Sequence, residues 1–338
     1  MQAKGGGESC GSRVKTFSQA RGPVDCRPSR YDLSGMTQRI DFVEVSPRDG
    51  LQNEPGFFPT VDKIELITRA LVAGVRRIEV ASFVHPGRVP QMADAEAVVA
   101  ALPKRDPKDV TYVGLCLNKR SALRALETQV HEFGAVISAS DGFGTRNQGR
   151  TSDETLEDAI EIIRLAKEHG RSAQATISVA FGCPFDGEIA PSRVADLARR
   201  VAAAGPREIA IADTIGVGVP TQVKAVMAAV KAAVPGVPIR AHFHDTRNTA
   251  IANVWAAVEA GASVIDASIG GIGGCPFAPN ATGNVATEDV QYMLQRSGVE
   301  TGLSLDSLIE AAKWLGQKMN RQLPGLVSRA GGFPKPAA

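Results

Sequence analysis

The chain has 338 residues, of which 43% are hydrophobic and 22% charged, with a formal net charge of +2. That composition supplies a sizeable core and gives no electrostatic reason to expect nucleic acid or an acidic membrane as partner. Five cysteines without a Cys-x-x-Cys pair argue against a disulfide framework, and no apolar run is long enough to cross a bilayer, so a cytoplasmic protein is expected.

Residues 1–38 are rich in Gly, Ser and Arg and are expected to form a disordered extension. Arg13, Arg21, Arg27 and Arg30 are interleaved with Glu8, Asp25 and Asp32, which weakens a mitochondrial import reading but leaves it open, and Met36 offers an alternative start. From Ile40 onward, short β-branched runs alternate with amphipathic stretches. The strands are expected at Asp41–Ser46, Arg77–Ser82, Val110–Cys116, Gly134–Ala139, Ser172–Ala180, Glu208–Ala212, Pro238–His242 and Ser263–Ala267. Helical periodicity covers Thr60–Ala73, Asp153–His169, Pro191–Ala204 and Pro220–Val234. Pro191 and Pro220 suit first-turn positions, and Gly74, Gly170 and Gly261 suit helix ends. This alternation predicts an α/β fold, a (β/α)₈ TIM barrel spanning 39–325 as one catalytic domain. A doubly wound open sheet is the alternative, disfavoured because no Gly-x-Gly-x-x-Gly turn follows the first strand. Glu288–Arg296 reads as the last barrel helix, Leu305–Asn320 as an appended C-terminal helix and 326–338 as a flexible tail.

The strongest chemical signal is His242-Phe243-His244-Asp245 after an apolar run. On an extended strand residues i and i+2 face one way, so both imidazoles can reach one point at the strand end. Imidazole is the commonest protein metal ligand, and two convergent histidines rarely serve packing alone. In a barrel of this kind, active sites form at the carboxyl ends of the strands. The unusual polar residues fall there: Arg48, Asp49 and Gln52 after the first strand, Glu79 and Ser82 on the second, Asp213 after the sixth, and the Gly270–Asn284 segment after the eighth. Taken singly, Asp213 could cap a helix, Arg48–Asp49 could be a turn pair and Asn284 an N-cap. Their joint placement on one rim favours a site. A mixed nitrogen and oxygen set without thiolate suits Mg²⁺ or Mn²⁺, with zinc and Fe²⁺ left open.

Several motifs together resemble 3-hydroxy-3-methylglutaryl-CoA lyases: Val43 to Glu54, Ile78 to Val84, Gly182-Cys183-Pro184-Phe185, Ala212 to Gly218, His242 to Thr246, and Gly274-Cys275-Pro276-Phe277-Ala278 through Asn284. The likeness runs in order from about Asp41 to Asn320. Related condensing barrels, the isopropylmalate and homocitrate synthases, share the Arg-Asp and His-x-His elements but not the Gly-Gly-Cys-Pro loop. The resemblance implies retro-Claisen cleavage of a tertiary 3-hydroxyacyl-CoA into a 3-oxoacid and acetyl-CoA, as in leucine degradation and ketone-body formation. It implies a divalent cation held by Asp49, His242, His244 and Asn284. Arg48 would stabilise the enolate and Cys275 would protonate it, while Glu79 and Asp213 would hold Arg48 and a metal-bound water. The base that takes the C3 hydroxyl proton stays unassigned. Substrate contacts would come from Arg48, Gln52, Ser82, Asn147, Gln174 and Thr176, and barrels of this type commonly form homodimers.

Among the cysteines, Cys116 reads as a buried strand residue, Cys10 and Cys26 lie in the extension, and Cys183 is preceded by a single glycine. The four glycines of Gly270–Gly274 favour Cys275 as the mobile acid. His131 and His169 are expected on helices and His85 in a loop. Two segments depart from the family: Gln174 and Thr176 stand where many lyases have an arginine and an aromatic, and Ser140–Gln148 lacks the usual lysine-containing run. Both are expected near the barrel mouth. They leave open a same-mechanism lyase for citramalyl-CoA or an isoprenoid-derived substrate, and less readily a non-catalytic metal-binding barrel.

Overall fold

The computed structural model describes residues 1–2, 39–274 and 283–334. The extension expected over 1–38 lies outside the described residues except for its first two positions. The chain divides into Met1–Gly35 and Met36–Ala338, and every element below belongs to the second unit. Its barrel strands are β1 (Asp41–Glu44), β2 (Arg77–Ser82), β3 (Thr111–Cys116), β4 (Glu132–Ser138), β5 (Ser172–Ser178), β6 (Ile209–Asp213), β7 (Ile239–Phe243) and β8 (Val264–Ala267). They are parallel and close on themselves in the order β1-β8-β7-β6-β5-β4-β3-β2, a TIM barrel. Closure removes both sheet edges.

The helices between and after the strands are α1 (Thr60–Val72), α2 (Ala95–Ala101), α3 (Lys119–Leu126), α4 (Asp141–Gln148), α5 (Ser152–Glu168), α6 (Pro191–Ala202), α7 (Pro220–Ala233), α8 (Ala250–Glu259), α9 (Thr287–Arg296), α10 (Leu305–Lys318) and α11 (Val327–Ala330). Pro191 and Pro220 open α6 and α7, where the missing N–H is no loss. Gly74 and Gly261 leave α1 and α8 at φ 99° and 90°, a region that favours glycine. No helix among the described residues is long and apolar enough to cross a membrane.

The barrel differs from the sequence expectation where local polar contacts decide. β1 stops at Glu44 because the Glu44 carboxylate takes the Ser46 N–H (2.9 Å) and Pro47 has none to offer; a π-turn, Ser46–Gly50, follows. Ser140–Gln148 reads as a loop but contains α4. Ser140 Oγ accepts from the Phe143 N–H (3.3 Å), and Gly149 closes the helix at φ 73°. His131 is not helical; it precedes β4, its Nδ1 accepts from the Tyr112 N–H (3.0 Å), and its ring stacks on Tyr112. The segment expected as a flexible tail begins with α11, whose first N–H groups donate to the Asp289 carboxylate.

The barrel interior carries more charge than branched aliphatics alone would give. Arg77 bridges Glu132 and Glu208, and Arg240 lies 3.4 Å from Glu208 and 3.3 Å from Asp266. All five side chains are buried. Such a chain adds little net stability, but removing one member leaves an uncompensated buried charge.

Candidate active site

Arg240, His242 and His244 alternate along one face at the end of β7, as the period of two requires. His244 pairs with Asn284 through an isolated antiparallel bridge, and the Asp245 N–H donates to Gly283 O (2.9 Å). The chain returning from the glycine-rich segment is thereby laid against the end of β7. The π-turn after β1 brings in Asp49. One ligand atom from each of Asp49, His242 and His244 lies within 4.8 Å of the others. His244 Nε2 is 3.4 Å from Asp49 Oδ2, and the two imidazole centroids are 5.2 Å apart. The Asn284 amide nitrogen donates to Asp49 Oδ2 (2.9 Å) and Ile272 O (3.1 Å), which fixes the orientation of its carbonyl oxygen.

The donor chemistry fits a divalent cation. Nδ1 of His242 faces Asp266 Oδ2 at 3.1 Å, so its Nε2 is the atom left for a ligand. Burial pushes the Asp49 carboxyl up, but Arg48 and the two imidazoles outweigh it and hold the group well below the ordinary carboxylate range. An ionised carboxylate beside two imidazoles, one of them oriented by Asp266, is a candidate metal site.

Arg48 is locked in a fork. Nη1 donates to Asp49 Oδ1 and Nη2 to Glu79 Oε2, both at 2.6 Å, with the guanidinium mostly buried. Burial raises the Glu79 carboxyl above its ordinary value even beside Arg48. Asp213 is turned away from this pair: its two oxygens accept the N–H groups of Val217 and Gly218, each at 2.9 Å. It holds the turn ahead of α7.

The site opens into a cavity of about 390 Å³ whose walls include Arg48, Gln52, Asn147, Thr176 and both histidines. Gln174 and Ser82 are buried outside its lining. Gln174 Oε1 accepts from Arg240 Nη2 (2.6 Å) below the floor, and Ser82 Oγ accepts from the Val84 N–H (3.4 Å). Cys275 lies outside the described residues; the described residues ahead of it end at Gly274, whose carbonyl accepts from Asn53 Nδ2 (2.7 Å). At Gly273 (φ 120°) a Cβ would lie 2.6 Å from the Asn284 amide nitrogen, so only glycine fits where the chain passes Asn284. Cys116 is fully buried, which pushes its thiol up, and Cys183 Sγ accepts from the Phe185 and Asp186 N–H groups.

Sequence reasoning missed Asp266 and Arg240. Arg240 carried a signal, since it stands two positions before His242. Asp266 carried none without the strand register that pairs it with His242.

A closed eight-stranded barrel with a carboxylate–imidazole cluster at its mouth defines the class, and comparison with known proteins narrows it. Residues 39–315 match the HMGL-like family model. The chain is 41% identical over 305 residues to the (R)-citramalyl-CoA lyase of Chloroflexus aurantiacus, covering 87% of this chain and 95% of that protein. It is 39% identical over 287 residues to a hydroxymethylglutaryl-CoA lyase of Bacillus subtilis, covering 85% and 95% respectively. An HMG-CoA lyase from Acinetobacter baumannii, solved with coenzyme A and 3-methylmalate, superposes with a TM-score of 0.83 at 37% identity, covering 89% of this chain and 99% of that one. The chain belongs to the HMGL-like family and is a carbon–carbon lyase.

Proposed function

We propose that the protein cleaves 3-hydroxy-3-methylglutaryl-CoA to acetoacetate and acetyl-CoA, with Mg²⁺ or Mn²⁺ as cofactor, in cytoplasmic leucine breakdown. The observation that carries this reading is the Arg48 fork, tied at 2.6 Å to both Asp49 and Glu79 beside the two imidazoles. Asp49, His242, His244 and Asn284 would hold the cation, whose Lewis acidity makes a substrate hydroxyl more acidic.

The chain's own residues account for the rest. The C3 hydroxyl proton passes to a carboxylate or imidazole near His242, and a carbonyl forms at C3 as the C2–C3 bond breaks. The bonding pair moves into the thioester as an enolate, whose oxygen faces the Arg48 guanidinium, already oriented by Glu79. Cys275 then delivers its thiol proton to C2, giving acetyl-CoA. Asp213 acts at one remove by shaping the turn beside the site.

A second substrate is supported by a specific pair of observations. The citramalyl-CoA lyase relative is as similar as the hydroxymethylglutaryl-CoA lyases, and the cavity wall carries Thr176, one of the two positions at which the sequence departs from the lyase resemblance. Purified protein with Mg²⁺ and a panel of 3-hydroxyacyl-CoAs, assayed for acetyl-CoA and the co-product, decides between them. Preference for 3-hydroxy-3-methylglutaryl-CoA supports the first reading; preference for citramalyl-CoA or a longer branched substrate replaces it.

A further inference from the structure

Four arginines line the catalytic cavity among the described residues, and their surroundings differ. Arg48 is committed to Asp49 and Glu79. Arg88 and Arg146 are exposed, and the Arg146 guanidinium sits 4.0 Å from the centre of the Phe185 ring. Arg240 is only 3% exposed and lies one alternation deeper along β7 than His242.

The Arg240 side chain reaches across β6 to β5. In register, Thr176 on β5 pairs with Ala210 on β6, and Ala210 pairs with Arg240. The small alanine leaves room for the crossing, and Nη2 donates to Gln174 Oε1 (2.6 Å) and Thr176 Oγ1 (3.2 Å). Thr176 Oγ1 in turn donates to the same Gln174 oxygen (3.2 Å). The acceptors that anchor this cation are therefore neutral.

Arg77, in the same barrel interior, is the contrast. Its two Nη atoms donate to the two oxygens of Glu208, each at 2.9 Å, and it lies outside the cavity lining. Arg240 meets carboxylates only through Nε, 3.4 Å from Glu208 and 3.3 Å from Asp266, with a hydrogen bond to neither. Both carboxylates are shared, Glu208 with Arg77 and Asp266 with His242. Nη1 of Arg240 makes no hydrogen bond among the described residues. A buried guanidinium with unused donors and no carboxylate of its own, at the wall of a cavity, favours an incoming anion.

We propose that Arg240 is a specificity-determining residue that binds the free carboxylate of the acyl group through Nη1, with Gln174 and Thr176 as positioning residues that aim it; this rests on the acyl-CoA reading above. Both the 3-hydroxy-3-methylglutaryl and the citramalyl group carry such a carboxylate. Arg240 thus selects acidic 3-hydroxyacyl groups over neutral ones of similar size, because a neutral group leaves its buried donors unpaired.

The test uses the full chain with Mg²⁺ and two probes that lack the C3 hydroxyl and are not cleaved, glutaryl-CoA and valeryl-CoA, which differ by a carboxylate in place of a methyl group. Calorimetry measures both probes on the parent, Arg240→Gln, Arg240→Lys, Thr176→Val and Thr176→Ser, with melting curves to establish folding. The parent is expected to prefer glutaryl-CoA roughly tenfold or more, the effect of a charge-assisted hydrogen bond. Arg240→Gln should erase most of that preference by weakening glutaryl-CoA alone, and Arg240→Lys should keep part of it. Thr176→Val should lower the preference and Thr176→Ser restore it, whereas a merely structural role would move both probes together. If Arg240→Gln fails to fold, Arg240→Lys and the Thr176 pair carry the test. A parent without the preference, or variants that keep it in full or lose both probes equally, overturns the proposal. Any of these leaves the lyase reading standing if the parent cleaves 3-hydroxy-3-methylglutaryl-CoA. An Arg240-dependent preference in a protein that cleaves no acyl-CoA keeps the role of Arg240 and overturns the lyase reading instead.

Discussion

Nδ1 of His242 and Oδ2 of Asp266 lie 3.1 Å apart at paired positions of adjacent strands. The register of β7 against β8 sets this contact, and with it the direction in which the imidazole presents Nε2 to Asp49 and His244. Asp266→Asn keeps the size but weakens the hold on the ring. Divalent-metal affinity is expected to fall about 10- to 100-fold, the usual effect of losing such a partner. Metal titration by calorimetry reads it directly, and unchanged affinity would show that Asp266 serves only Arg240.

Arg48 is expected to act in the transition state. Arg48→Lys retains charge but loses the fork that spans Asp49 and Glu79. The account predicts kcat lower by orders of magnitude with KM changed much less. A rise in KM alone would make Arg48 a substrate-binding residue and remove the enolate role.

The cysteines separate by chemistry. Cys275→Ser offers a far weaker acid, so cleavage is expected to slow about a hundredfold or more. Cys183→Ser should leave the chemical step intact, because Cys183 Sγ is engaged with the N–H groups of its own turn. Saturating-substrate rates for both variants settle the assignment; a dead Cys183→Ser beside an active Cys275→Ser reverses it.

Glu288 gives a pH prediction away from the chemistry. It is fully buried, its Oε2 accepts the Gly270 N–H (3.0 Å), and its Oε1 has no hydrogen-bond partner. Burial pushes its carboxyl up to about 8, from an ordinary 4.5. Between those values the unfolded chain loses a proton that the folded protein keeps, so this group lowers stability as pH rises from 4.5 to about 8, and the loss persists above. Glu288→Gln keeps an acceptor for Gly270 and removes the titration. Denaturant unfolding should find the variant more stable than the parent at alkaline pH by a few kcal/mol, with the gap closing toward acid. A variant less stable at alkaline pH would mean that the native carboxylate is ionised and useful.

Much of the fold was legible because its signals are local. β2 was delimited at both ends, and Pro191, Pro220, Gly74 and Gly261 marked helix boundaries through their backbone constraints. The His242–His244 pair was legible for the same reason, a period of two on one strand. α4 was not, since apart from Phe143 the segment Asp141–Gln148 has almost no apolar periodicity and its helix rests on capping at both ends. Asp266 was not, because its role depends on a cross-strand register. Gln174 shows a third cause: its position on the inward face was readable, but its depth below the cavity floor depends on Arg240 reaching across from β7.

The most direct test is to strip the purified protein of metal with a chelator, verify its metal content, and assay 3-hydroxy-3-methylglutaryl-CoA before and after adding Mg²⁺. The expected result is no turnover in the stripped protein, and restored formation of acetoacetate and acetyl-CoA in equal amounts once Mg²⁺ is added. Undiminished cleavage by the metal-free protein, or by a metal-free His244→Ala variant, would contradict the role assigned to the Asp49–His242–His244 cluster.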